Sequence, residues 1–171
     1  LIAIQHDLFD LGGGLCFPGA PLLTENHLAR LDAAAAAMNT ESFLVEKMIS
    51  GAVAELLVGV TLDPAHGYVL TLAAGGTRTE ILGDSVSLLL PASGNAVDAA
   101  LSRLRMAPLL DGYRGAPAAD RGAIIAAVLA VQDFVIVHHG RMEEVEINPL
   151  ICLAEGVVAA DALIRMGDDN G

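Results

Sequence analysis

Five carboxylates, Glu46, Glu55, Glu80, Glu146 and Asp161, stand in or beside apolar runs of this 171-residue chain. A carboxylate taken out of water must be paired, hydrogen-bonded or bound to a cation, whereas one pointing outward from a strand costs nothing. Several on one sheet would make a ligand face. The most specific arrangement lies in residues 143–163, EEVEINPLICLAEGVVAADAL, which read as two short apolar strands joined by the turn Ala154-Glu155-Gly156. Pro149 cannot donate to a strand ladder, so it is expected at an edge or bulge, where it turns Asn148 toward a site. Asn148 and Asp161 are thirteen residues apart. On linked strands that spacing can set an amide oxygen beside a carboxylate, a hard-oxygen pair suited to Mg²⁺ held with a nucleotide. Spacing alone also allows a hairpin with a solvated acidic rim, and favours it.

Other chemistries find less support. His138 and His139 are adjacent, so on a helix they point about 100° apart and cannot form the i, i+4 pair of a metal site. They read as helix-end residues favoured by the dipole. His6, His27 and His66 show no partner in the sequence. There is no G-x-S-x-G or Ser-x-x-Lys, and no Cys set against a His. Gly12-Gly13-Gly14 lacks the Lys-Ser/Thr ending of a phosphate loop and reads as a flexible connection.

The elements that must position these residues follow from pattern. Thr24 caps a helix over residues 25–38, carried by an alanine run. Residues 43–49 and 54–60 read as strands, and Asp63-Pro64 to His66-Gly67 as the turn into a third strand at 68–73. Residues 78–90 read as extended up to Pro91. Residues 95–105 form an amphipathic helix with Val97, Leu101 and Leu104 inward, and Asp120 caps a helix to about His138 whose apolar residues cover more than one face. Gly140 ends it. Strands, then helices, then a final strand pair indicate an α+β fold with a mostly antiparallel sheet and packed helices, not a βαβ alternation.

Composition bounds the partners. Apolar residues make up 54% and aromatics 4%, so the core is aliphatic. A formal charge of −12 without a Lys/Arg cluster argues against nucleic acid and anionic membranes. It also means that a polyphosphate needs a metal or a basic partner surface. Two cysteines make no disulfide framework and indicate a reduced, cytoplasmic setting. The start LIAIQHDLFD has neither a positive n-region nor a small-residue cleavage site, so no signal peptide is expected.

Four stretches in order, FLVEKMISGAVAELLVGVTLD, LAAGGTRTEILGDSVSLLLP, LLDGYRG and EINPLICLAEGVVAADAL, resemble the ATP-grasp domain of the nucleoside-diphosphate-forming (ADP-forming) acyl-CoA synthetases, relatives of the succinyl-CoA synthetase beta subunit. The resemblance covers residues 42–166. It implies an ATP-grasp-like fold that binds ATP/ADP with Mg²⁺ and phosphorylates a histidine on a CoA-binding domain or subunit. The phosphate then passes to an acyl group captured by CoA, with an oligomeric assembly expected.

By the same resemblance Glu46 belongs to the hinge beside the adenine, with backbone around Met48 and Ile49 hydrogen-bonding it, and Glu55 binds the ribose hydroxyls. Gly75 and Gly76 let backbone approach the phosphate end or the histidine loop. Asn148 and Asp161 become the Mg²⁺ ligands. Asp111 and Arg114 receive no role beyond a loop-fixing salt bridge or a substrate contact, and no catalytic residue is assigned. The chain also departs from the pattern. Residues 1–41 show no basic phosphate-binding residues and no glycine-rich flap, so the amino-terminal half is incomplete there. Residues 12–34 faintly resemble a CoA-ligase segment of the fused enzymes. Lys47, the only lysine, sits in the hinge motif, which leaves no phosphate lysine. The division expected is an upstream segment or linker, 1–41, and a nucleotide-binding domain, 42–171. An inert ATP-grasp remnant serving as a binding or assembly module is the alternative.

Overall fold

The computed structural model describes residues 2–5, 15–17, 25–38, 44–47, 49–75 and 83–167. Packing divides the chain into two compact units, Leu1–Ser50 and Gly51–Gly171. The first contains a three-stranded antiparallel sheet, ordered β2-β1-β3, from β1 (Ile2–Gln5), β2 (Leu15–Phe17) and β3 (Leu44–Lys47), together with helix α1 (Glu25–Met38). The helix matches the expected span, and Thr24, its expected cap, lies outside the described residues. Strands β1 and β2 occupy a stretch whose glycines and prolines break any sustained period.

The second unit is built on an antiparallel sheet ordered β6-β5-β4-β7-β8, with β9 also paired to β7. Its strands are β4 (Ala54–Asp63), β5 (Gly67–Ala74), β6 (Ser85–Leu89), β7 (Met142–Cys152), β8 (Val157–Ala159) and β9 (Ala162–Met166). Helices α2 (Gly94–Arg103), α3 (Ala107–Leu110) and α4 (Arg121–Val137) are inserted between β6 and β7. Ser93 Oγ accepts the Ala96 N–H at 3.2 Å and Asp120 Oδ1 accepts the Ala123 N–H at 2.9 Å, so each longer helix begins on a side-chain cap. Gly140, at φ 86°, turns the chain into β7, a conformation a β-carbon would strain.

The core lies on one face of this sheet. Leu56, Val58 and Val60 of β4 alternate inward with Leu70 and Leu72 of β5, and they meet Val97 and Leu101 of α2 and Ile124, Val128 and Val135 of α4. α4 is apolar on two sides because it touches both the sheet and α2. A β-carbon on Gly94 would lie 3.5 Å from Ile125 and 3.7 Å from Leu129. Among the described residues no helix is long and apolar enough to cross a membrane.

The expected final strand pair is a triplet. β7 is central, pairing β4 along one edge, while its other edge is shared end to end by β9 (Met142 to Ile147) and β8 (Leu150 to Cys152). Ala162–Met166, which the two-strand reading of 143–163 does not separate, folds back as β9.

Candidate functional site

β7 changes partner at Asn148-Pro149. On the β4 side, Leu56 faces Leu150 and Val58 faces Ile147, so Leu57 alone opposes two residues of β7 in a bulge. Proline's missing N–H is tolerated there, as expected of a bulge, although the strand is central and not an edge. On the other side, the Asn148 N–H donates to the Asp161 carbonyl at 3.2 Å and the Ala160 N–H to the Pro149 carbonyl at 3.0 Å. The connection between β8 and β9 is thereby pinned against the bulge, and Asn148 and Asp161 become neighbours across the strands. Both are exposed.

The bulge also fixes the face. With Val58 and Val60 turned to the helices, the register sends Gly59, Thr61, Glu144 and Glu146 to the opposite face, and there Thr71 Oγ1 lies 3.3 Å from Ser87 Oγ. Asn148 Nδ2 donates to Glu146 Oε1 at 3.4 Å, in keeping with a common side. Asp161 Oδ1 accepts the Ala162 N–H at 2.8 Å. The donors left over, the Asn148 amide oxygen and the second Asp161 oxygen, are hard and few. That fits Mg²⁺, which uses one or two protein carboxylates and fills its octahedron with water and phosphate oxygens. Among the described residues no cluster of three or more His, Cys, Asp or Glu is placed to hold a metal, so a cage of the zinc or calcium kind is not built.

Glu55 stands at the start of β4, exposed, opposite Ile151. The Gly75 N–H donates to its carbonyl at 2.7 Å, and a β-carbon on Gly75 would lie 2.8 Å from the Glu55 carbonyl carbon and 2.9 Å from the Leu56 nitrogen. Glycine is therefore required at 75 by a close approach within the sheet itself. Glu46 lies in β3 and Ile49 just after it, both in the first unit. Met48, Gly76, Glu80 and the side chain of Glu46 lie outside the described residues.

One structural carboxylate, Asp84, escaped the sequence reading, and others were read only in part. Asp84 is buried, and its two oxygens accept the N–H groups of Arg105 at 2.7 Å and Met106 at 2.9 Å, holding the turn between α2 and α3. Its partners are some twenty residues away and leave no local signal. Asp120 does more than cap α4. Its Oδ2 accepts the Gly156 N–H at 3.0 Å while its own N–H donates to Leu153, which ties the β7–β8 turn to the helix. The Ala123 N–H first, then that of Gly156, hold its carboxyl below the usual carboxylate range. Asp111 has an ion-pair partner, but it is Arg121 (3.1 Å) and not Arg114; Arg121 also binds Asp98 and Ser102 of α2. His66 Nδ1 lies 2.8 Å from Asp63 in the β4–β5 turn. His138 caps α4, its Nδ1 2.8 Å from the Phe134 carbonyl, as a helix-end role requires. Cys152 is buried, which pushes its thiol up to about 12 and leaves it unreactive.

An apolar groove of about 370 Å³ lies on the helix face, walled by Ala130 and Phe134 of α4 and by Ile147, Val157, Ala162 and Ile164 of the sheet. None of the candidate site residues lines it.

An ATP-grasp domain family matches residues 24–166. A trans-feruloyl-CoA synthase from an unknown prokaryotic organism is 38% identical over 127 residues, 72% of this chain and 18% of that protein. The beta subunit of an ADP-forming acetate–CoA ligase II of Pyrococcus furiosus is 31% identical over 112 residues, 64% of this chain and 48% of the subunit. This chain thus spans half or less of the length of these relatives. Among solved structures, an acetyl-coenzyme A synthetase of Ca. Korarchaeum cryptofilum in complex with coenzyme A and Mg-AMPPCP superposes with a TM-score of 0.75 at 22% identity, over 96% of this chain and 76% of that one.

Proposed function

Since this chain belongs to the ATP-grasp family, with relatives named as ADP-forming acyl-CoA ligases, we propose that it is the nucleotide- and Mg²⁺-binding part of an acyl-CoA synthetase (ADP-forming). The whole enzyme would interconvert acyl-CoA, ADP and phosphate with carboxylic acid, CoA and ATP, by way of a phosphohistidine. The observation that carries this reading is the backbone bond from the Asn148 N–H to the Asp161 carbonyl at the β7 bulge, which makes two exposed residues with hard-oxygen side chains neighbours across the strands. Under the reading, Asn148 and Asp161 hold Mg²⁺, and the ion when bound offsets phosphate charge during transfer. Glu55 accepts the ribose hydroxyls, and the tight Gly75–Glu55 backbone bond fixes where that carboxylate starts. Glu46 and the backbone at Met48 and Ile49 contact the adenine, and Gly75 and Gly76 border the phosphates.

Residues 42–171 form the nucleotide-binding part in this proposal and 1–41 an upstream segment; the family match begins within the latter, at residue 24. The coenzyme A and Mg-AMPPCP bound by the Korarchaeum protein, and the subunit organisation of the Pyrococcus one, support a CoA-binding domain or subunit as partner; a cytoplasmic setting and an oligomeric assembly belong to the same proposal. The enzyme names of the relatives favour this over an inert remnant.

Titration calorimetry with ADP or ATP tests the reading. Mg²⁺-dependent binding is expected, and Asp161→Ala should abolish it while leaving the unfolding midpoint unchanged. Undiminished affinity in that variant would remove the metal assignment.

A further inference from the structure

Between Leu110 and Ala119 the chain leaves the core and returns to it. Both ends are buried and joined by a hydrogen bond from the Ala119 N–H to the Leu110 carbonyl at 2.8 Å, so residues 111–118 form a closed loop standing out from the surface. Its base is fixed by the Asp111–Arg121 ion pair, and its tip by the Ala116 N–H bond to the Tyr113 carbonyl at 3.0 Å. Three residues have left-handed backbone: Gly112 (φ 89°), Arg114 (φ 51°) and Gly115 (φ 85°). At Gly112 glycine is needed twice over, because a β-carbon would also lie 3.0 Å from the Ala116 carbonyl oxygen. Arg114 is the exception. It is the one residue with a β-carbon among those described that has positive φ, at a position whose local preference is glycine. An outlier of this kind points to a use for the side chain that the fold does not itself require.

The side chain is on display. Arg114 and Tyr113 are both exposed, and the guanidinium carbon lies 5.2 Å from the Tyr113 ring centroid. Among the described residues no carboxylate pairs with Arg114, in a chain whose formal charge is −12. The loop rejoins the sheet at Asp120, which bonds Leu153 and Gly156 beyond the end of β7. At that same end Cys152 pairs with Ala54, Ile151 with Glu55, and Gly75 bonds Glu55, while Asn148 lies four residues back from Cys152 along β7.

We propose that Arg114, its guanidinium over the Tyr113 ring, is a docking cation for a phosphate group of the ligand that occupies this end of the sheet. It supplies positive charge in a chain whose formal charge is −12. The inference rests on the function proposed above, under which two reactants carry phosphate, the nucleotide and CoA. A guanidinium binds phosphate through two parallel N–H bonds, which an ammonium cannot reproduce.

Calorimetry with Mg-ADP and, separately, with CoA on the unaltered chain, Arg114→Gly and Arg114→Lys provides the test, with thermal unfolding alongside. Arg114→Gly should weaken binding of one of the two ligands by about tenfold or more, as loss of a charge-assisted bond does. Its unfolding temperature should stay level or rise, because glycine relieves the backbone. Arg114→Lys should keep only part of the affinity. The ligand that weakens identifies the phosphate. Unchanged affinity of Arg114→Gly for whichever ligand the unaltered chain binds overturns the inference and leaves the proposed function standing. Lost affinity together with a lowered unfolding temperature also overturns it, in favour of a loop-holding role. If the unaltered chain binds neither ligand, the proposed function falls with it.

Discussion

The two faces of the second unit's sheet are made by the same strands and obey different rules. On the helix face, Leu56, Val58, Val60, Leu70 and Leu72 are almost wholly buried against α2 and α4, and each is replaceable in kind by another aliphatic. On the opposite face the same strands carry Glu55, Thr71, Glu144 and Glu146, and no described helix of this unit packs there. The groove between α4 and β7–β9 belongs to the first face and is apolar throughout, whereas Glu55 and Asn148 belong to the second. Under the proposed function, stability and ligand chemistry are separated by one residue of register. The bulge at Asn148-Pro149 is where the two meet, because it lets Ile147 and Leu150 both face the helices while Asn148 does not.

Substitutions on the two faces should therefore differ sharply. Leu56→Ala removes a fully buried side chain between two neighbouring strands and should cost about 2–5 kcal/mol in denaturant unfolding. Leu163→Ala, on β9 opposite Glu146 and 46% exposed, should change stability by no more than about 0.5 kcal/mol. Similar losses would mean that the second face is a packed surface, and the separation would fail. Asp84→Ala tests the boundary from the helix side. It strands the N–H groups of Arg105 and Met106 and should cost about 1–3 kcal/mol. Gly75→Ala drives a methyl into the Glu55–Leu56 backbone and should destabilise by about 1–3 kcal/mol. If Gly75 served only a ligand, stability would be unchanged and nucleotide affinity alone would fall.

What could be seen in the sequence follows the same division. Alternation in β4 and β5 and the inner faces of α2 and α4 were legible, because burial imposes a period on aliphatic residues. Asn148 and Asp161 were legible as a pair only through the hairpin that joins them. β9 was not, since Ala162–Met166 follows β8 after two residues and is exposed along nearly its whole length, leaving no apolar period to separate it. α3 spans four residues and is held by the Asp84 carboxylate, a partner no local pattern announces. Asp111 read equally as half of a salt bridge fixing its own loop or as a substrate contact. Its true partner, Arg121, sits one residue past a helix cap, and sequence adjacency gave no preference for it over Arg114.

Asp120 offers the finest test, because it caps a helix of the first face yet holds the hairpin that carries the candidate ligands. Its carboxylate accepts the Ala123 and Gly156 N–H groups, which lower its pKa from the usual carboxylate value. A group whose folded-state pKa is depressed contributes stability above its unfolded value and loses it as pH falls through the folded one. Asp120→Asn should therefore unfold at a lower temperature than the unaltered chain at neutral pH. The gap should narrow as pH drops below the ordinary carboxylate range, and close once Asp120 is itself protonated. A gap that stays constant with pH would show that the ionised carboxylate is not what ties α4 to the β7–β8 turn. If the gap behaves as expected and Mg-ADP affinity at neutral pH also falls in Asp120→Asn, then the hairpin's ligands depend on a contact made from the helix face. The two faces would then be coupled through the β7–β8 turn, and their separation would hold for packing but not for function.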